Sequence, residues 1–100
     1  MKELTSKQRA YLKSLAQTMS PLFQVGKNGV TPELTEAIAE ALEAREMVKI
    51  SVLNNCLEDP KYICEVISER TRCIPVQIIG KKIVFYKPAK KNPKITLPLK

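Results

Sequence analysis

The chain contains no histidine and no tryptophan. Without histidine, the commonest general base is missing, and so is one half of most Cys/His metal sites. The three cysteines, Cys56, Cys64 and Cys73, are odd in number and far apart. They lack the close pairing that a metal cluster wants, and they read as buried, reduced thiols. Aromatic residues make up only 5% of the chain, too few for base stacking to be the main source of affinity for a nucleic acid. No apolar run approaches the ~20 residues of a membrane-spanning helix. The opening residues Met1-Lys2-Glu3-Leu4-Thr5 have no apolar stretch of the signal-peptide kind, so a soluble cytoplasmic protein is expected, with no membrane partner. No catalytic residue, metal, cofactor or small-molecule substrate is expected.

Positive charge is in excess, with 17 Lys and Arg against 10 Asp and Glu among 100 residues, a formal net charge of +7. Such an excess favours polyanionic partners through phosphate neutralisation and counterion release. Residues 5 to 18 read as an amphipathic helix capped by Thr5 or Ser6, with Leu4, Leu12, Leu15, Ala16 and Met19 at helical spacing and Tyr11 beside them. Lys7, Arg9, Lys13 and Gln17 are placed on the opposite side, either as a solvated face or as phosphate contacts. Ser20-Pro21 ends the helix. Leu22 to Val25 then read as a short strand entering Gly26-Lys27-Asn28-Gly29.

Thr31-Pro32 opens a second helix with a capping hydroxyl and a proline at the first helical position. Its buried stripe is Leu34, Ala37, Ile38, Ala41 and Leu42. Glu33, Glu36, Glu40 and Glu43 line its outer face, which should repel nucleic acid and confine any RNA to the loop end. Met47 to Leu53 alternates as a half-buried strand. A third helix over about Pro60 to Arg72 buries Ile63, Cys64, Val66 and Ile67, with Tyr62 a further candidate. Ile74 to Ile79, a two-residue Gly80-Lys81 turn and Lys82 to Lys87 form a hairpin. Its last strand is read as an edge on which Val84 or Tyr86 is exposed.

The expectation is therefore an α/β (α+β) fold: one compact α-β-α-β-α-β-β domain over residues 1–87 with a four-stranded mixed sheet. The crossover between the first two strands should be right-handed if they are parallel. Residues 88–100 read as a basic arm, broken by Pro88, Pro93 and Pro98; Lys87, Lys90, Lys91 and Lys94 are candidate RNA contacts. A solubilising tail is the bland alternative.

Gly26-Lys27-Asn28-Gly29 is not a Walker A loop, because the six-residue glycine spacing and the Lys-Ser/Thr pair are missing. Nor does it carry the three glycines of a dinucleotide fingerprint. It matches the GxxG clamp with which KH domains hold a nucleotide backbone. A plain surface turn is the competing reading of the tetrapeptide alone.

Four segments together resemble the YhbY or CRM (chloroplast RNA splicing and ribosome maturation) domain family, closest to its stand-alone bacterial type. They are Ser6 to Lys13, Val25 to Thr31, Met47 to Ile50, and Val76 to Gly80 running on to Ile83 to Lys87. The resemblance implies a fold similar to the C-terminal domain of translation initiation factor three. It implies an RNA-binding protein that associates with large-subunit precursors and their ribosomal RNA and assists ribosome assembly; a non-enzymatic monomer is expected, though the sequence leaves the oligomeric state open. The family's backbone-gripping loop maps onto Gly26, Lys27, Asn28 and Gly29, and its basic first-helix surface onto Lys7, Arg9 and Lys13. The rival from another class is an adaptor that contacts an acidic ribosomal protein or translation factor, with RNA incidental.

Overall fold

A computed structural model describes residues 4–89 and 95. Helix α1 (Ser6–Ala16) is followed by β1 (Phe23–Val25), α2 (Pro32–Arg45), β2 (Met47–Val52), α3 (Pro60–Thr71), β3 (Ile74–Ile79) and β4 (Lys82–Tyr86). This is the expected element order, and the four strands form one mixed sheet in the order β1-β2-β4-β3. Strand β1 runs parallel to β2, while β4 is antiparallel to both β2 and β3.

The helices start where local chemistry satisfies their first N–H groups. Thr5 caps α1 through a reciprocal box: its hydroxyl accepts from Gln8 N, and the Gln8 side chain accepts from Thr5 N. Thr31 caps α2 and Asp59 caps α3, each followed by proline at the first helical position. Glycine does not close α2 or α3. Glu46 and Arg72 adopt left-handed backbone there, with φ of 66° and 59°.

Helices α2 and α3 cover one face of the sheet. Ile38, Leu42, Ile63 and Ile67 pack there with Val25, Val48, Ile50, Ile83 and Phe85, all fully buried. Helix α1 covers part of the other face, where Leu12 and Ala16 meet Met47, Val76, Val84 and Tyr86. Lys49 lies on that second face. Its Nζ donates to the carbonyls of Ala16 and Met19, at 3.3 and 3.2 Å, so a cation closes the negative end of α1.

Two expectations are corrected. Strand β4 is central, not an edge, and Val84 and Tyr86 are 1% and 3% exposed. Each is covered because β4 lies between β2 and β3 with helices above and below. Tyr62 is 53% exposed, because the stripe that α3 turns inward is Ile63, Cys64 and Ile67. The hairpin turn is as read: Ile79 pairs with Lys82 across Gly80-Lys81, and Gly80 supplies the positive φ of 57°.

Candidate nucleic-acid interface

Because β1 and β2 are parallel, the chain leaving β1 and the chain leaving β2 emerge at the same end of the sheet. The β3–β4 turn lies at that end too, since Ser51 pairs with Lys82. Backbone bonds fix the three segments to one another. Leu53 N donates to Val25 O at 2.8 Å, and Val52 N donates to Lys81 O at 2.7 Å. Lys81 Nζ donates to Asn54 Oδ1 at 2.8 Å. Three cations from two of these segments therefore lie at this end: Lys27 of the β1–α2 turn and Lys81 and Lys82 of the hairpin, all exposed.

Gly26-Lys27-Asn28-Gly29 is a closed turn, in which Gly29 N donates to Gly26 O at 2.9 Å. Gly29 has a φ of +66°, a backbone that L side chains rarely adopt. Lys27 and Asn28 project at the tip. The turn is thus ordered by its own hydrogen bond, which takes the Gly29 N–H away from any ligand. The start of α2 offers little more. Pro32 has no N–H, Thr31 Oγ1 accepts from Leu34 N at 3.1 Å, and Glu33 brings a carboxylate to the first turn. The chemistry available at the tip is the Lys27 ammonium, the Asn28 amide and the backbone donors of these two residues.

The connection between β2 and α3 packs behind the turn. The Asn55 amide oxygen lies close over Gly26, and Glu58 Oε1 occupies the space that a side chain on Gly29 would need. A side chain at Gly26 would press on the Asn55 amide and one at Gly29 would displace the Glu58 carboxylate, and the positive φ of Gly29 favours glycine there as well. Asn54, Asn55, Glu58 and the hairpin lysines were not legible as site residues. Their sequence signals, an Asn-Asn pair and a Gly-Lys-Lys turn, fit ordinary connections.

The acidic face of α2 is as expected, with Glu33, Glu36, Glu40 and Glu43 all exposed. On α1, Lys7 and Lys13 are exposed, but they are six positions apart, which places them roughly 120° apart around the helix. Arg9 is placed differently from the expectation. Its Nη1 donates to Pro75 O and Val76 O, at 2.8 Å each, so the guanidinium clamps α1 onto the irregular start of β3. Beyond the cover of α1, the same sheet face has a small hollow of about 80 Å³ lined by Lys49, Gln77, Ile79, Lys82 and Val84.

The C-terminal segment leaves from the opposite end of the sheet, a strand length of roughly 17 Å away. Buried Glu46 holds it there: its carboxylate accepts from Ala89 N at 2.9 Å and Ile95 N at 2.7 Å. Lys87 is half-buried and donates from Nζ to Thr71 O at 2.9 Å, at the end of α3. Lys90, Lys91 and Lys94 lie outside the described residues. Cys56 is half-buried and Cys64 and Cys73 are buried, all three as free thiols. Burial pushes the Cys64 and Cys73 thiols above their ordinary range. Among the described residues there is no cluster of metal-ligating side chains, and no helix is long and apolar enough to cross a membrane.

Comparison with known proteins agrees with the fold. The CRS1 / YhbY (CRM) domain family matches over residues 4–87. The chain is 50% identical over 95 residues to the Bacillus subtilis protein named Probable RNA-binding protein YqeI, covering 95% of this chain and 99% of that one. It is 35% identical over 100 residues to a Haemophilus influenzae protein named RNA-binding protein, covering 100% of both. The solution structure of the hypothetical Staphylococcus aureus protein SAV1595 has a TM-score of 0.79 at 45% identity, covering 96% of this chain and 100% of that one.

Proposed function

The chain belongs to the CRS1 / YhbY (CRM) domain family, and on that premise we propose that it binds RNA through the loop end of its sheet. The observation that carries this reading is the gathering of Lys27, Lys81 and Lys82 around a turn whose two glycines admit close approach. Lysine is a mobile point charge suited to phosphate oxygens, and three of them at one sheet end neutralise a strand without reading its sequence. The acidic flank of α2 keeps the RNA off that side.

Gly26, Lys27, Asn28 and Gly29 form the grip, with Lys27 and the backbone donors of the tip on phosphate. Lys7 and Lys13 widen the contact along α1, and Arg9 holds that helix in place. Lys90, Lys91 and Lys94 add affinity without specificity. The family resemblance extends the proposal to the biological target: ribosomal RNA in a precursor of the large subunit, with the protein assisting assembly as a non-enzymatic monomer in the cytoplasm.

Co-purification with ribosomal particles tests the reading. Tagged protein should sediment with large-subunit precursors, and full digestion of the RNA should release it. Association that survives digestion favours an adaptor held by a ribosomal protein or translation factor.

A further inference from the structure

At the grip, one feature runs against simple phosphate binding: the Glu58 carboxylate rests against Gly29. Its backbone is firmly placed. Cys56 N donates to Leu53 O at 3.0 Å, Cys56 Sγ lies 3.8 Å from Glu58 O, and Asp59 caps α3. The side chain, by contrast, meets no hydrogen-bond donor or cation among the described residues, and Lys81 of the hairpin is engaged by Asn54. A carboxylate half-buried beside a cationic turn, with no such partner among the described residues, keeps its full acceptor capacity.

From these positions we propose that Glu58 reads the Watson–Crick edge of a guanine whose neighbouring phosphate is held at Lys27. The proposal rests on the loop being an RNA grip. Two carboxylate oxygens side by side need two donors side by side, as in the paired hydrogen bonds that carboxylates make with guanidinium groups. Among the four RNA bases only guanine offers this, through N1–H and the N2 amino group. Adenine and cytosine each set an amino donor beside a ring-nitrogen acceptor, and uracil flanks its single N–H with two carbonyls. A carboxylate repels those acceptors. Bases in single-stranded RNA expose this edge, which a duplex would hide. The connection between β2 and α3 thus supplies selectivity while the β1–α2 turn supplies affinity. A backbone grip that is indifferent to sequence becomes one that prefers a guanine at a single position.

The test uses the full chain and a short oligouridylate carrying guanosine, inosine, adenosine, cytidine or uridine at its centre, with affinity read by fluorescence anisotropy. Guanosine is expected to bind about tenfold tighter than the other standard bases, the low end of discrimination for a bidentate pair. Inosine, which keeps N1–H but lacks the amino group, should lose most of that gain. Glu58→Gln should erase the preference while binding to plain oligouridylate is kept or improved. Equal binding of all five RNAs by the native chain would overturn the assignment and leave the grip standing. A uniform rise in affinity in Glu58→Gln, with the preference intact, would also overturn it and mark Glu58 as a repulsive neighbour. Failure to bind any of the five overturns the grip itself, and the base reading with it.

Discussion

Arg9 separates a structural role from an RNA-contacting one more cleanly than any other cation in the chain. Its Nη1 bridges Pro75 O and Val76 O at 2.8 Å each, and only Leu12 and Ala16 of α1 are buried. A hydrogen bond to a charged donor is worth about 1.5–3 kcal/mol when well sheltered. Here the Pro75 carbonyl is exposed and water can replace the guanidinium, so about 2 kcal/mol for the pair is the reasonable sum. For a domain of this size that lowers the melting temperature by roughly 8–16 °C. Arg9→Ala should show the full loss. Arg9→Lys keeps the charge but, with a shorter reach and no planar fork, should show at least half of it. The assay is thermal unfolding by circular dichroism, paired with RNA affinity measured well below the transition. Affinity of the folded variants should stay within about twofold, a difference of roughly 0.4 kcal/mol. An unchanged melting temperature with a tenfold loss of RNA affinity would refute the clamp and make Arg9 a phosphate contact.

Gly29→Asp should cost about 1–2 kcal/mol from its left-handed backbone, force Glu58 aside and add a second negative charge at the grip. Circular dichroism should show the fold retained while RNA binding is lost; an unchanged affinity would reduce the loop to a turn. Thiol labelling of the native protein should modify Cys56 first, with Cys64 and Cys73 reacting only on unfolding. Alkaline pH should destabilise the fold. Burial holds the protons of Cys64 and Cys73 above the ordinary 9.0, and burial with the charge of Glu46 holds that of Tyr86 above 10.0. The unfolded chain therefore ionises first, so this stabilisation is complete below pH 9.0 and declines as pH rises beyond it. The urea midpoint should fall over that window, and Cys73→Ala should remove part of the slope.

The local grammar of the chain was legible and its long-range pairing was not. Thr31-Pro32, Asp59-Pro60 and Gly80-Lys81 each fix an element boundary through chemistry confined to two or three residues. The place of β4 depends on which strand it meets across the sheet, which no local signal sets. One clue was available: Ile83-Val84-Phe85-Tyr86 is a continuous apolar run, the pattern of a strand buried on both faces. Glu46 was hidden for a related reason, since it follows four exposed glutamates and reads as a fifth. Only the folded chain brings Ala89 N and Ile95 N to its carboxylate. At the site, the glycine spacing and Lys27 were readable. Glu58 was not, because its contact with Gly29 joins two connections 29 residues apart.

The central claim is that Lys27 and its turn hold RNA phosphate. Its most direct measurement is the affinity of the native chain and of Lys27→Ala for one single-stranded RNA across a salt titration. The logarithm of the native affinity should fall with the logarithm of salt by about 0.7 for each phosphate neutralised, and the variant should lose about 0.7 from that slope. A flat salt response, or a variant whose slope equals that of the native chain, would contradict the account.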